Sequence, residues 1–287
     1  TPIKSSAASD VYKRQLLKYL EENLDMSKRN IKKYLKNGSI YVDGTRTTQF
    51  DYPLMVDSIV VIDTNKKKLN KIPFAVLYED ENIIVVDKPA GLLTIASAKE
   101  KEQTTYHIVR EYLRAKNKHA KIFIIHRLDK ETSGVLMFAK NEYSKNVFQE
   151  NWNELVKKRS YIAIVEGILE KKEATLKNYL KETSTHLVYV SKNKDGKEAI
   201  TSYKVVKQGK KYSELKIEIE TGRKNQIRVQ LANINHPIVG DKKYGLGDEK
   251  RLFLHADLLE IYNPILKKKM SFKSTAPKAF IAKVKEK

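Results

Sequence analysis

Residues Phe123 to Ala139 read FIIHRLDKETSGVLMFA. The apolar run FIIH, Phe123 to His126, has the character of a buried strand. It passes straight into His126-Arg127-Leu128-Asp129, three of which can carry charge. A Thr132-Ser133-Gly134 turn then leads into a second apolar strand, GVLMFA, from Gly134 to Ala139. Polar groups at the mouth of a sheet, between two core strands, are where sites are often built. Asp129 lies between Arg127 and Lys130, and a nearby cation keeps a carboxyl ionised. On spacing alone, a structural turn closed by a local ion pair explains the stretch as well as a functional site does.

The flanking sequence, from Phe74 on, alternates strands and helices. IIVVDKPAG, Ile83 to Gly91, reads as a buried strand ended by a Pro-Ala-Gly turn. Thr105 to Lys116 is helical, and Asn141 to Val156 has helical spacing through Val147, Phe148, Trp152 and Leu155. Tyr161 to Val165 is a strand. Tyr212 to Glu220 alternates Leu215, Ile217 and Ile219 with charges, the pattern of a half-buried antiparallel strand. Many strands with few helices predict an α+β domain over residues 74–287, with a mixed, mainly antiparallel sheet and flanking helices.

A smaller module precedes it, over residues 16–63. Leu16, Leu17, Leu20 and Leu24 recur at helical spacing. Ser27 can cap a second helix that runs to about Lys36 and stops at Asn37-Gly38. Ile31 and Leu35 face inward, and Lys28, Arg29, Lys32, Lys33 and Lys36 crowd the other side. A strand from Ser39 to Val42, the hairpin signal Asp43-Gly44, and a closing strand from Ser58 to Ile62 complete it. The polar stretch 64–73 is the expected linker. SDVYKRQ, Ser9 to Gln15, resembles the translation of a sequencing-library adapter, so residues 1–15 are expected to be a non-native leader.

The 287 residues carry 56 Lys and Arg against 35 Asp and Glu, a net charge of +21, which favours a polyanionic partner over neutral ones. Cysteine is absent, which excludes disulfides and thiolate chemistry. Only six histidines occur, none in an HxH or HxxxH pair, so no metal site is expected. No apolar run approaches the roughly 20 residues that span a bilayer, and the first residues lack a signal-peptide core. The expected setting is the cytoplasm, with no membrane partner.

HRLDKETSG resembles the signature of the large-subunit ribosomal pseudouridine synthase family, the group related to the bacterial A, C and D enzymes. DENIIVVDKPAGLLT, RSYIAIVEG, TGRKNQIRVQL, NHPIVGDKKYG and RLFLHA resemble its other motifs in the same order. The module in front resembles the αL-type RNA-binding domain named after small-subunit ribosomal protein four. The resemblance implies an isomerase that turns uridine into pseudouridine without cofactor or metal. It implies RNA as partner, large-subunit ribosomal RNA first, and a monomer is favoured.

Carried over motif by motif, the resemblance makes Asp129, Tyr161 and Arg228 the catalytic residues. His126 and Arg127 are supporting positions, and Arg127 would help hold the nucleotide out of its helix. Arg223, Asn225 and Gln226 in the third motif, with Lys28, Arg29, Lys32 and Lys33, would contact RNA. Asp129 would act on the ribose. Arg228 would pair with Asp129 and keep it charged. Tyr161 would stack on uracil and bring a phenol close to the carbon that loses its proton. Lys88 would reach RNA or sit at the surface.

The chain departs from the usual pattern at Asn225 and Gln230, where many members have His, and in AGLLTIAS, which lacks the usual His-Pro. Asn225 still donates and accepts hydrogen bonds, so activity is expected to survive. Two other readings compete. A non-catalytic RNA-binding or ribosome-assembly factor has no need of the Asp129, Tyr161 and Arg228 trio. A hydrolase lacks a second carboxylate in a matched motif.

Overall fold

A computed structural model describes residues 2–4, 14–36, 38–63, 72–96, 103–247 and 249–286. The expectations for residues 5–13 of the leader and 64–71 of the linker lie outside the described residues. The chain divides into two units, Thr1–Asn70 and Lys71–Lys287.

The first unit contains strands β1 (Pro2–Lys4) and β2 (Arg14–Gln15), helices α1 (Leu16–Asn23) and α2 (Lys28–Lys36), and strands β3 (Ile40–Val42), β4 (Thr45–Thr47), β5 (Pro53–Leu54) and β6 (Ile59–Ile62). β1, β6, β3 and β4 make one antiparallel sheet, and β2 pairs with β5. Leu16, Leu20, Ile31 and Leu35 pack on Ile40, Val42, Val60 and Ile62, with Leu17 and Leu24 half-buried at the margin. The hairpin expected at Asp43-Gly44 is present: both residues have positive φ, 50° and 78°, as a two-residue turn between twisted strands requires. Ser27 Oγ accepts from the Asn30 amide at 3.4 Å. Lys28, Arg29, Lys32, Lys33 and Lys36 are all exposed. Pro2–Lys4 and Gln15 belong to the expected leader, yet they pair with β6 and β5.

The second unit opens with β7 (Val76–Glu79), β8 (Ile83–Lys88), α3 (Thr105–Lys116), β9 (Phe123–Ile124) and β10 (Ser133–Ala139). Next come α4 (Glu142–Glu150), α5 (Trp152–Leu155), β11 (Val156–Glu166), β12 (Glu173–Glu182), β13 (Val188–Ser191), β14 (Lys197–Gln208) and β15 (Tyr212–Ile219). It closes with α6 (Gln226–Asn233), β16 (Leu254–Asn263), β17 (Lys268–Lys273) and α7 (Lys278–Val284). The sheet runs β13-β12-β14-β15-β11-β16-β10-β8-β7, with β17 on β16 and β9 on β10. Every described pair in it is antiparallel except β10 with β16. The expected mixed, mainly antiparallel sheet is therefore what forms.

Alternation explains why β8 and β10 are apolar throughout. Ile84, Val86, Leu136 and Phe138 face α3 through Val109 and Leu113. Ile83, Val85, Val135 and Met137 face the opposite side, against Phe148 of α4 and Leu259 and Ile261 of β16. A strand covered on both faces reads as a continuous apolar run. A third cluster joins β11 and β15 to Ile227 and Leu231 of α6 and Phe280 and Val284 of α7.

Three sequence expectations need correction. FIIH forms only the two-residue β9, because His126 leaves the ladder for the cavity described below. The helix expected over Asn141 to Val156 breaks at Asn151, whose ψ of 21° departs from the helix and divides α4 from α5. Ile72, expected in the linker, is buried in the core of the second unit with Leu113 and Leu136.

The parallel β10–β16 contact consists of Ser133 opposite His255 and Gly134 opposite Ala256. Gly134 has φ +114°, and a Cβ there would lie 2.1 Å from the Ala256 carbonyl oxygen. Both the backbone region and the close approach require glycine. Gly134→Ala should cost about 3 kcal/mol or more, read as a lower urea midpoint; an unchanged midpoint would contradict this account.

Candidate active site

A cavity of about 520 Å³ opens where the β9–β10 connection, β11 and the start of α6 meet. The connection supplies His126, Arg127 and Asp129, and β11 supplies Arg159 and Tyr161. The turn after β15 and the first turn of α6 supply Arg223, Asn225, Gln226 and Arg228. Eight of the twelve residues anticipated from sequence thus share one cavity. The other four, Lys28, Arg29, Lys32 and Lys33, lie on α2 in the first unit.

The backbone on either side of Asp129 is tied down. Thr94 Oγ1 donates to the Leu128 carbonyl at 2.7 Å and accepts from the Leu128 amide at 3.2 Å. The Lys130 carbonyl accepts from the Gly91 amide at 2.9 Å and from Lys88 Nζ at 3.1 Å. The Thr132 amide closes a turn on the Asp129 carbonyl at 3.2 Å. Ser133 Oγ bonds His255 Nδ1 at 2.9 Å and accepts from Arg251 Nη2 at 3.0 Å, while His255 Nε2 donates to the Ser274 carbonyl at 3.1 Å.

Lys88 overturns its sequence reading. It is 0% exposed, and its ammonium donates to the carbonyls of Pro89, Leu92 and Lys130. Burial lowers its pKa to about 7, against the charges of Glu131 and Asp129, which raise it. It cross-links the turn after β8 to the Asp129 loop and is neither at the surface nor free for RNA.

Arg228 is held from behind. Its Nε and Nη2 donate to Asp241 Oδ2 and Oδ1 at 2.8 and 2.7 Å. Asp241 also accepts from the amides of Lys243 and Tyr244 at 2.9 and 3.1 Å. These bonds outweigh burial and hold the Asp241 carboxyl below its usual pKa. Arg228 Nη1 is left facing the cavity, 3.5 Å from Asp129 Oδ2 and 3.3 Å from Asn225 Oδ1. The anticipated Asp129–Arg228 pair is present, but the main partner of Arg228 is Asp241. Asn225, in the left-handed region at φ 54°, donates Nδ2 to the Tyr244 hydroxyl at 2.9 Å. The residue that departs from the usual His thus both donates and accepts here.

Tyr161 lies opposite a β-bulge on β16. The pairing of β11 with β16 skips Asp257, shifting register between Ser160 and Tyr161. Burial pushes the Tyr161 phenol up to about 12, with Arg159 opposing and Asp129 and Asp257 adding, so it stays protonated at neutral pH. His126 is neutral: burial, then the Arg159 charge, lowers it to about 3. Its Nε2 accepts from the Met137 amide at 3.0 Å, which places the ring hydrogen on Nδ1. The ring stacks on Trp152 at 4.8 Å. Arg127 and Arg223 are exposed at the rim, the latter donating Nε to the Glu198 carbonyl at 2.9 Å.

The RNA contact expected of Gln226 is corrected. Its Nε2 donates to Ile200 O and Thr201 Oγ1, and its Oε1 accepts from Thr221 Oγ1 and the Arg223 amide. With all four positions taken, it shapes the turn rather than binding a ligand. Asp241, Tyr244 and Arg159 were passed over in the sequence. The first two lie in NHPIVGDKKYG and the third heads RSYIAIVEG, so the signal was present without a role attached.

A carboxylate beside an arginine, a protonated phenol and an aromatic wall can act on a sugar–base bond in a nucleotide turned out of its stack. The sequence family described as RNA pseudouridylate synthase matches residues 82–233. The chain belongs to this family. Its members are isomerases acting on RNA, and the synthase is one of them. It is 31% identical over 283 residues to an uncharacterized RNA pseudouridine synthase of Mycoplasma pneumoniae, covering 93% of this chain and 90% of that one. It is 29% identical over 266 residues to ribosomal large subunit pseudouridine synthase D of Borreliella burgdorferi, covering 85% and 80%. The structure of human RNA pseudouridylate synthase domain containing 4 matches 72% of this chain and 90% of its own with TM-score 0.60 at 22% identity, a likeness of fold. No helix among the described residues is long and apolar enough to cross a membrane.

Asp241→Asn would leave Arg228 buried without its counter-charge, at a cost of about 3 kcal/mol or more. Loss of both unfolding midpoint and pseudouridine formation is expected; full activity would contradict the support role of Asp241. Because the Asp241 pKa is depressed in the fold, its ionisation stabilises the native state above the ordinary carboxylate pKa of about 4 and ceases to do so as pH falls through the lower native value. The variant's acid-unfolding profile should therefore be shallower than that of the wild type.

Proposed function

We propose that the synthase isomerises uridine in large-subunit ribosomal RNA, with Asp129 as the catalytic carboxylate. The observation carrying this reading is Asp129, clamped on both sides and facing Arg228, in one cavity with Tyr161. The relatives named as large-subunit enzymes support the substrate class. A stacked uridine cannot present its sugar–base bond to a half-buried carboxylate, so the nucleotide is flipped out at a cost of a few kcal/mol. Exposed Arg127 and Arg223 at the rim are suited to the displaced backbone. Tyr161 stacks on the uracil. Asp129 either attacks ribose C1′ or removes the neighbouring C2′ proton; both routes break the same bond. The base then turns and rejoins through carbon 5. Tyr161, protonated at neutral pH, borders the carbon that loses its proton.

The first unit supplies affinity in this reading, as an RNA-binding domain like that of small-subunit ribosomal protein four, and the enzyme works in the cytoplasm where ribosomes are assembled. Exposed lysines and an arginine on one helix suit phosphate contacts, which lower apparent affinity steeply with salt.

Asp129→Asn should abolish tritium release from transcripts carrying 5-tritiated uridine while leaving RNA affinity within about threefold, since one neutralised acid removes no phosphate contact. Release at the wild-type rate would remove Asp129 from the mechanism. Replacing Lys28, Arg29, Lys32 and Lys33 together by Gln should weaken RNA binding and cut the slope of log affinity against log salt by about 2–4. An unchanged slope would detach α2 from the RNA.

A further inference from the structure

Arg159 lies two residues before Tyr161 on β11, hence on the same strand face, and lines the same cavity. Its Nη2 donates to the Glu220 carbonyl. Gly222 lies close beside it: a Cβ there would be 2.7 Å from Nη1. The guanidinium thus packs against the backbone of the turn after β15. The other cations of the cavity are engaged differently: Arg228 is neutralised by Asp241 and Lys224 pairs with Glu182, while Arg127 and Arg223 stand exposed at the rim. Arg159 is half-buried, and among the described residues no carboxylate pairs with it. A desolvated cation held by backbone, with donors to spare, is arranged for a negative charge that arrives from outside.

We propose that Arg159 is a further catalytic residue, which stabilises the uracil anion as it leaves ribose C1′. The inference rests on the pseudouridine synthase reading of this cavity. When the C1′–N1 bond breaks, its electron pair goes to uracil N1 and spreads to O2 and O4. Ribose C1′ is satisfied by a bond to the Asp129 carboxylate, or by loss of the C2′ proton to it. A base stacked on Tyr161 lies beside Arg159, whose free N–H groups suit a ring oxygen. The base then turns and C5 bonds to C1′ as the Asp129–C1′ bond breaks, or as Asp129 returns the proton to C2′. The C5 proton then leaves to solvent and N1 takes up a proton. Arg159 meets the uracil at its most negative, between the two bonds. Its charge also bears on Tyr161 and His126, which border the same space.

The test compares uridine with 5-fluorouridine, whose ring holds negative charge more readily, in otherwise identical ribosomal transcripts. Consumption of the starting nucleoside is followed by liquid chromatography with mass spectrometry of digested RNA, under single-turnover conditions at saturating enzyme. This separates uridine from its isomer of equal mass and scores C1′–N1 cleavage on 5-fluorouridine, whose C5 carries no proton to lose. Arg159→Met should slow uridine conversion about 100-fold, the scale of losing one donor to a developing anion, with RNA affinity nearly unchanged. On 5-fluorouridine the defect should shrink to about tenfold, and Arg159→Lys should recover part of the loss on uridine. A purely structural role would depress both substrates equally; an equal defect, or near-wild-type conversion of uridine, overturns the proposal. Should Arg159→Met fail to fold, Arg159→Lys carries the same comparison, with a larger defect on uridine in support and equal defects against. Wild-type protein that converts neither transcript would sink the functional reading itself, a separate outcome.

Discussion

The buried fork between Arg228 and Asp241 governs the arrangement of the site. Moving a guanidinium and a carboxylate out of water is costly, and the cost is met only when both are hydrogen-bonded in good geometry. Here two parallel contacts and two backbone amides satisfy Asp241, and Arg228 keeps one nitrogen for the cavity. The pair fixes the roll of α6 and the loop before β16 together, because one partner comes from each. Asn225 and Tyr244 brace the same arginine from the sides. One cation is thus stationed between a carboxylate shut off from solvent and one that faces the cavity.

The Asp129 loop is restrained by different means. Backbone groups of Leu128, Asp129 and Lys130, with the Ser133 side chain, are held by Thr94, Lys88, Gly91, Thr132, His255 and Arg251. Most of these bonds fix backbone, so the carboxylate's position does not depend on its own charge. Positioning of this kind supplies a large part of catalysis where a reacting group must be held within a fraction of an ångström.

Much of this was legible in the sequence, and the exceptions have physical causes. HRLDKETSG stood out because charge interrupts two apolar strands, and β8, β10, α3 and β15 followed from period and turn chemistry. The split at Asn151 did not, because the apolar positions on its two sides keep one helical spacing. Lys88 was misread because lysines are almost never fully buried, and only the folded chain brings three carbonyls around its ammonium. Gln226 looked like a ligand-binding amide until its neighbours on β14 closed over it. Asp241 could not be paired from sequence alone, since its partner lies on another element 13 residues away. Arg159 read as one basic residue among 56 Lys and Arg.

The parallel contact of β10 with β16 joins Ser133 to His255 across 122 residues, and His255 reaches on to Ser274. Closing so long a loop is slow relative to local pairing. During synthesis the Asp129 loop emerges together with Lys88, Gly91, Thr94 and Thr132, but Arg251, His255 and Ser274 are translated long after it. A nascent chain on the ribosome therefore carries the signature motif with Ser133 still unanchored until Ser274 has left the tunnel.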